Sequence, residues 1–224
     1  MDPHMIKNIS RPSRNLMKEL SIFETATVHE ASGGKGALSS NIKPIDPLSR
    51  LCGSAITVTC RPGDNLIIHK AIYVAEPGDV LVITVGGYIE AGPWGEIMTV
   101  AAQARGIAGL IIDGSVRDSR SIIDSKFPVF SRGCSIKGTT KDSLGFINHP
   151  ICIGDATVHP GDVVLGDGDG VVIVAHHELA EVLEKCKRRR EKEEEIKEEL
   201  KRGKSTLELY GFDQILQTKG LKEA

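Results

Sequence analysis

The segment 86–118, GGYIEAGPWGEIMTVAAQARGIAGLIIDGSVRD, contains the residue types best suited to chemistry. Arg117 has a planar guanidinium that can bind a carboxylate through two parallel hydrogen bonds, which suits a 2-oxo acid or its enolate. Asp118 beside it offers a hard oxygen ligand for Mg²⁺ or Mn²⁺, ions that usually keep several waters. The pair predicts an anion and metal site.

A second part of this site is predicted at Glu96, which twenty residues (97–116) separate from Arg117. Glu96 stands near the first turn of a predicted helix and can accept hydrogen bonds from waters on a metal ion. The amides of Ile97 and Met98 in the same turn have no intrahelical acceptor and therefore favour an anion.

The same residues also allow a structural interpretation. Arg117 and Asp118 can form a surface pair in which Asp118 caps the next helix, while Glu96 complements a helix dipole. The turn at Gly86-Gly87 and the position of residues 113–118 after a strand favour function, because ligands gather beyond the carboxyl ends of parallel strands.

Hydrophobic periodicity predicts the elements that position these residues. Strand, helix and strand alternate in a pattern typical of a parallel sheet. The predicted strands are 53–60, 80–85 and 109–113, and the predicted helices are 13–31, 65–75, 94–105 and 118–125. Asp64 is predicted to cap the helix over 65–75.

The second half of the chain has a different pattern. Short apolar runs from residue 127 onward predict hairpins or a small β layer, with a tight hairpin turn at 166–170. A calcium loop is disfavoured there because Val172 stands where an EF-hand loop needs glycine. A charged helix is predicted from 177 to 202, and its few apolar residues indicate that it stands in water or reaches a neighbouring subunit.

Composition limits the possible classes of protein. The 224 residues, 40% of them hydrophobic, predict one globular domain with an appended tail. A net charge of -2 gives no basic field for nucleic acid. Without a membrane-spanning run or a signal peptide, we predict a cytoplasmic protein. The opening 1–5 is predicted to be an expression remnant, and the five scattered cysteines to be free thiols.

The segment 86–118 resembles the core signature of the RraA-like proteins. It is most similar to their class II pyruvate aldolases, which cleave 4-hydroxy-4-methyl-2-oxoglutarate and 4-carboxy-4-hydroxy-2-oxoadipate. Four further stretches extend the resemblance over most of the chain: ATVHEASGGKGALSSNIKPI, PGDNLIIHKAI, FPVFSRGCSIKGTTKDSLG and VHPGDVVLGDGDGVVIV. The resemblance implies an α/β fold, a swivelling β/β/α sandwich over 6–176. A helical extension over 177–224 would pack on a neighbouring subunit in a homotrimer or homohexamer.

The resemblance also implies individual roles. Asp118 would bind Mg²⁺ or Mn²⁺, Arg117 the pyruvyl oxygens, and Glu96 a water on the metal. The amides of Ile97 and Met98 would hold the pyruvate carboxylate. Glu96 departs from the family pattern, because the best-studied aldolases have aspartate there.

The resemblance also implies residues for the rest of the substrate pocket. Asn65 and Lys141 match positions that line the family's substrate pocket, with a helix cap and an exposed loop lysine as the alternatives. An acid from a neighbouring subunit's C-terminal helix completes the family's site. Its candidates in this chain are Glu193, Glu194 and Glu195.

The function implied is a metal-dependent retro-aldol cleavage of a 4-hydroxy-2-oxo diacid to pyruvate and a second oxo acid, with oxaloacetate decarboxylation as a side activity. The metal and Arg117 would stabilise the enolate while a metal-associated water takes the C4 hydroxyl proton. The alternative is a non-catalytic RraA-type protein that binds and inhibits a ribonuclease. Such regulators typically lack the Asp after the Arg and are shorter at the C-terminus, so Asp118 and the charged helix favour the enzyme.

Overall fold

The computed structural model describes residues 3–222. The chain divides into two compact units, Met1–Leu183 and Glu184–Ala224. Residues 1 and 2 of the predicted expression remnant lie outside the described residues. In the described part of that segment, Met5 forms a parallel bridge with Ile147, and His4 Nδ1 lies 3.0 Å from the carbonyl oxygen of Gly145. The origin of the segment stays a prediction.

Twelve strands occur within residues 3–222. They are β1 (Lys43–Pro44), β2 (Leu51–Thr59), β3 (Asp79–Thr84), β4 (Gly109–Ile112), β5 (Ser115–Val116), β6 (Val129–Ser131), β7 (Gly133–Cys134), β8 (Phe146–Ile147), β9 (Ile151–Ile153), β10 (Ala156–Val158), β11 (Val163–Asp167) and β12 (Gly170–Val174). Eight of them form one mixed sheet in the order β1-β6-β4-β3-β2-β11-β12, with β8 paired to β2. The pairs β5·β7 and β9·β10 are separate.

Eight α-helices accompany the strands in the same range. They are α1 (Arg14–Leu20), α2 (Thr25–Ala31), α3 (Leu66–Val74), α4 (Glu96–Ala104), α5 (Ser119–Ser125), α6 (Leu179–Lys201), α7 (Thr206–Tyr210) and α8 (Phe212–Thr218). A short 3₁₀ helix, His176–Glu178, precedes α6.

The centre of the sheet is parallel, as the alternation of strands and helices predicted. β2 pairs with β3, β3 with β4 and β4 with β6, all in parallel, and α3 and α4 form the crossovers between the first three. Side chains alternate between the two faces of a strand. Ile56 and Val58 of β2 therefore pack in one cluster with Ile68 of α3, while Ala55 packs on the opposite face.

The opposite half of the sheet is antiparallel. β11 pairs with both β2 and β12, and Asp167 pairs with Gly170 across the turn, which confirms the predicted hairpin. Lys43 Nζ donates to the carbonyl oxygen of Asp169 at 2.5 Å, so β1 at one end of the sheet approaches the turn at the other. The result is the predicted α/β fold, with a nearly closed sheet and helices at the C-terminus.

The prediction of one helix over 13–31 is wrong. The segment forms α1 and α2, and residues 21–24 separate them. Two distant side chains stabilise this break. The Arg50 guanidinium donates to the carbonyl oxygen of Phe23 at 2.9 Å, and Asp167 accepts from the amide of Thr25 at 2.8 Å. The buried Phe23 ring then occupies the core instead of continuing a helical stripe.

The second unit begins at Glu184 and consists of most of α6, together with α7 and α8. Ion pairs between residues three or four apart line α6, and a capping box of Ser205 and Glu208 begins α7. Five of its large apolar side chains are at least a third exposed: Leu207, Tyr210, Phe212, Ile215 and Leu221. Among the described residues, no helix is long and apolar enough to span a bilayer.

Two glycines of one loop test how tightly that loop packs on β12. Gly34 and Gly36 both have left-handed backbones, with φ of 76° and 78°, so alanine at either position costs about 1–2 kcal/mol of strain. A Cβ on Gly36 would also collide with the carbonyl oxygen of Ile173, whereas one on Gly34 meets nothing within 4 Å. Urea unfolding should show Gly36→Ala about 1–3 kcal/mol less stable than Gly34→Ala. Equal losses would contradict this packing.

Candidate functional site

The predicted site lies at the carboxyl edge of the parallel strands, where a buried aspartate fixes the glycine turn. Asp113 follows β4, and its carboxylate accepts from the amides of Val85 at 2.6 Å and Gly87 at 3.2 Å and from the hydroxyl of Thr84 at 2.7 Å. Gly86 and Gly87 both have positive φ, which glycine adopts without strain. The turn is therefore a rigid border of the site.

Two hydrogen bonds hold Arg117 and Asp118 against the start of α4. The Arg117 amide donates to the carbonyl oxygen of Trp94 at 2.9 Å, and Asp118 Oδ2 accepts from the amide of Glu96 at 3.0 Å. Arg117 Nε lies 3.7 Å from the same Oδ2. The structure thus brings the three predicted residues together, although Glu96 follows β3 in the chain and Arg117 and Asp118 follow β4.

Close approach explains the glycine before α4. A Cβ on Gly95 would collide with Asp118 Oδ2 and lie 3.0 Å from Arg117 Cγ. Trp94 beside it is fully buried, and its indole donates to Thr99 Oγ1 at 2.8 Å. This hydrogen bond fixes the backbone at residues 94 and 95 against α4. Trp94 and Gly95 carry no side-chain chemistry that would mark them in the sequence as parts of the site. Their only signal was their position inside the segment 86–118.

Asp118 has the features of a hard-cation ligand. Its backbone is left-handed, with φ of 57°, and its side chain is 41% exposed. Asp118 stands at the N-cap of α5 and pairs with Arg117, as the structural alternative predicts, but its side chain makes no capping hydrogen bond. Oδ2 is already bonded within the protein, but Oδ1 has no hydrogen-bond partner among residues 3–222. One free carboxylate oxygen fits an ion of the Mg²⁺ type, which keeps most of its waters.

No group of three or more His, Cys, Asp or Glu side chains that could hold a metal occurs among the described residues. A metal ion at Asp118 would therefore be bound by few protein ligands, in keeping with the water-rich shell expected for Mg²⁺ or Mn²⁺. Glu96 is exposed at the start of α4, where its carboxylate can accept from such waters.

The first turn of α4 presents the predicted anion-binding amides. Ile97 and Met98 follow Glu96 at the N-terminus of the helix, and neither amide has an acceptor within residues 3–222. The Ile97 side chain is 77% exposed, whereas that of Met98 is buried. A carboxylate at this turn would meet two free N–H groups and the positive end of the helix dipole.

Asn65 is a buried side chain with one unused acceptor. Its Nδ2 donates to the carbonyl oxygen of Pro93 at 3.0 Å, while its Oδ1 is buried without a hydrogen-bond partner. Asn65 is the N-cap residue of α3, as its alternative interpretation predicts, but its side chain makes no capping hydrogen bond. Asp64 Oδ1 accepts from the amide of Leu66, the first residue of the helix, at 2.8 Å, as predicted for Asp64. Buried acceptors are rarely left unpaired, so this oxygen is available to a ligand donor.

Asp64 also fixes the loop that carries Lys141. Its Oδ2 accepts from Thr140 Oγ1 at 2.8 Å and from the amides of Asp142 at 2.7 Å and Ser143 at 3.2 Å. Burial opposes ionisation of Asp64, but these hydrogen bonds outweigh it and lower its pKa. Lys141 itself is exposed, which also fits the alternative that it is a loop lysine without a role in the site.

Lys141 influences a histidine one turn beyond Asn65 on α3. The pKa of His69 is lowered, mainly by burial and then by the positive charge of Lys141. On the other side of the loop, a Cβ on Gly138 would lie 4.0 Å from Arg117 Nη1. The loop 138–143 therefore borders both Arg117 and α3, and His69 is a polar neighbour that the sequence analysis had not assigned to the site.

The three acid candidates of the C-terminal helix lie in the second unit, and their partners distinguish them. Glu193 pairs with Arg189 at 2.8 Å, and Glu194 pairs with Lys197 at 2.7 Å. Within residues 3–222, the Glu195 carboxylate is exposed and has no partner. Glu195 is thus the acid of the three that is free to bind elsewhere.

Comparisons with known proteins agree with the resemblance seen in the sequence. The family model RraA-like, described as Aldolase/RraA, matches residues 25–173. A relative from Halalkalibacterium halodurans, named "Putative 4-hydroxy-4-methyl-2-oxoglutarate aldolase", is 35% identical over 186 residues, which cover 83% of this chain and 89% of that protein.

Two solved structures share the fold. An uncharacterized protein from Pseudomonas syringae pv. tomato superimposes with a TM-score of 0.79 at 30% identity, over 90% of this chain and 98% of that one. The RNA-processing inhibitor RraA from Thermus thermophilis gives a TM-score of 0.63 at 23% identity, over 68% of this chain and 92% of its own. The second likeness concerns the fold alone.

The hydrogen bonds of Asp64 predict a pH-dependent contribution to stability. Asp64→Asn should lower the free energy of unfolding by about 1.5–3 kcal/mol near pH 7. The backbone amides that now donate to a charged carboxylate would face an uncharged side chain instead. The folded-state pKa is lowered, so this stabilisation is fully present above the ordinary value of about 4 and is lost as the pH falls below it.

Urea unfolding of the wild type and the variant at several pH values from 7 down to 3 measures this difference. Asp142→Asn is the matched control, because that residue contributes only its backbone amide to the cluster. A gap between wild type and Asp64→Asn that stays constant with pH would contradict the prediction.

Proposed function

The chain belongs to the RraA-like family, and on that premise we propose that it is a lyase, a divalent-metal-dependent class II aldolase. Its substrate would be a 4-hydroxy-2-oxo diacid, cleaved to pyruvate and a second oxo acid. One observation carries the proposal: a guanidinium and a partly free carboxylate, Arg117 and Asp118, lie side by side against the free first-turn amides of α4.

Substrate binding would use the two kinds of anion donor at this edge. The amides of Ile97 and Met98 would take the carboxylate at C1 of the substrate. The Arg117 guanidinium would bind the C2 oxygen, where negative charge develops as the C3–C4 bond breaks. Asn65 Oδ1, the unpaired buried acceptor, would receive a donor from the ligand or from an ordered water.

The reaction itself is a balanced retro-aldol step. A water held by the Glu96 carboxylate would accept the proton of the C4 hydroxyl, and the C4–oxygen bond would become a carbonyl as the C3–C4 bond breaks. The electron pair of that bond would move into the enolate of pyruvate, which Arg117 stabilises, and C3 would then take up a proton. A divalent ion at Asp118 would supply Lewis-acid polarisation of the oxo acid when bound.

Oxaloacetate decarboxylation would follow from the same arrangement. Loss of CO₂ from C4 of oxaloacetate leaves the same pyruvate enolate, so the groups that stabilise one would stabilise the other. A site of this kind is expected to show both activities, with the larger kcat/KM for the hydroxy diacid that supplies more contacts.

Assembly into a homotrimer or homohexamer would complete the site. Two apolar side chains on α4, Ile97 and Val100, are 77% and 57% exposed one turn apart. The second unit exposes a further apolar set around the stacked rings of Tyr210 and Phe212. Exposed apolar groups of this kind are typical of subunit interfaces, and Glu195 is the acid that we propose one subunit contributes to the next.

Replacing either residue of the central pair tests the aldolase. Arg117→Ala and Asp118→Ala should each lower kcat/KM for pyruvate release by at least about 10²-fold, because each removes a group that stabilises developing charge. EDTA should abolish release, and Mg²⁺ or Mn²⁺ should restore it. The assay uses several 4-hydroxy-2-oxo diacids and oxaloacetate, with lactate dehydrogenase detecting pyruvate.

The matched controls are Arg120→Ala and Asp124→Ala, an exposed ion pair of 3.0 Å on α5. Such pairs contribute little, so activity should stay within about twofold. Retained metal-dependent turnover in Arg117→Ala or Asp118→Ala would overturn the mechanism. No pyruvate from any substrate would favour the alternative, a non-catalytic protein that inhibits a ribonuclease.

The contribution of a neighbouring subunit has its own test. Glu195→Gln should lower kcat/KM about 10–100-fold, whereas Glu194→Gln, which alters a carboxylate already paired with Lys197, should have little effect. Glu195→Gln and Arg117→Ala subunits, unfolded and refolded together, should be more active than either variant alone, because some sites in mixed assemblies combine an intact Arg117 with an intact Glu195. No recovery on mixing would exclude a shared site.

A further inference from the structure

A cavity of about 420 Å³ lies at the amino-terminal end of β2 and β3, the end opposite to the proposed active site. One wall is α1 and the segment before it, and the other is the turn before β3. Its lining includes Arg14, Met17, Lys18, Cys52 and Ser54. The volume falls in the range of small-molecule sites.

The charges around this cavity are unbalanced. Arg11 forms two hydrogen bonds of 2.9 Å with the buried carboxylate of Asp79 and an ion pair of 3.1 Å with Glu76. These two carboxylates face three cations around the cavity, so one positive charge remains uncompensated. Arg14 and Lys18 follow on α1, one turn apart on the same face, and neither has a carboxylate partner among residues 3–222. Like charges at this spacing repel each other, and an anion between them would relieve that repulsion.

The floor of the cavity is mainly apolar and uncharged. Met17 and Cys52 form part of it, and burial raises the pKa of the Cys52 thiol to about 12, so the thiol stays neutral. Ser54 is 1% exposed, and its hydroxyl donates to the sulfur of Met17 at 3.7 Å. The partly exposed side chains of Met17 and Cys52 are therefore the floor surface that a ligand would contact, and they suit an apolar chain.

We propose that this cavity binds a small organic carboxylate with an apolar chain. The carboxylate would lie between the Arg14 guanidinium and the Lys18 ammonium, and the apolar chain would cover Met17 and Cys52. This site is separate from Arg117 and Asp118 and does not depend on the aldolase activity.

Methyl NMR of the protein labelled at its methionines provides the test. Met17 lines the cavity, and Met98 lies at the proposed active site, so the two methyl signals report the two places separately. Hexanoate should shift the Met17 signal in a saturable way and leave Met98 unchanged. Hexan-1-ol, which lacks the charge, and acetate, which lacks the chain, should each bind at least tenfold more weakly. Met17→Leu assigns the signal.

Two double variants isolate the charges. Arg14→Ala/Lys18→Ala should weaken hexanoate binding at least tenfold, whereas Lys7→Ala/Lys219→Ala, which removes the same charge at exposed positions, should leave it within twofold. Arg117→Ala should still bind hexanoate. No saturable shift of Met17, a shift confined to Met98, or equal affinity in the two double variants would overturn the proposal. Urea unfolding of each variant verifies that it is folded.

Discussion

The site depends on a pair of contacts between two connections of the sheet. Asp118 accepts a hydrogen bond from the Glu96 amide, and the Arg117 amide donates to the carbonyl oxygen of Trp94. One partner of each contact follows β3 and the other follows β4, so neither connection alone forms the site. The contacts require a left-handed Asp118 and a residue without a Cβ at Gly95. This local strain is retained because the carboxylate gains a backbone donor at a helix N-terminus.

Hydrogen bonding separates the structural carboxylates of this edge from the functional one. Asp113 and Asp64 are buried, and each uses both oxygens to accept from backbone amides or hydroxyls of the loops around them. Asp118 is partly exposed and uses only one oxygen within the protein. Saturated carboxylates fix loops, because moving them would leave buried charge unpaired. An unsaturated carboxylate held in place by its neighbours is free to bind a cation without reorganisation.

Local patterns predicted the parts of the fold that depend on local interactions. The strand over 109–113, the cap at Asp64 and the hairpin at 166–170 follow from alternation and turn chemistry, which act over a few residues. The prediction of one helix over 13–31 is wrong because Arg50 and Asp167, far away in the chain, form hydrogen bonds with the backbone between α1 and α2. The sequence could not predict the unpaired side-chain oxygen of Asn65 either, because it results from how α3 packs against the residues before α4.

Strand geometry determines how the proposed cavity and the proposed active site can influence each other. Ser54 and Thr59 lie near opposite ends of β2, and five residues of strand span about 17 Å. This is roughly twice the Debye length at physiological ionic strength. A carboxylate beside Arg14 would therefore change the electrostatic potential at Arg117 little. Any effect of one ligand on the other has to pass through the packing of β2 and β3, whose side chains are almost completely buried. Buried strands of this kind transmit a displacement only if their register or packing changes, so binding at the two ends should be largely independent.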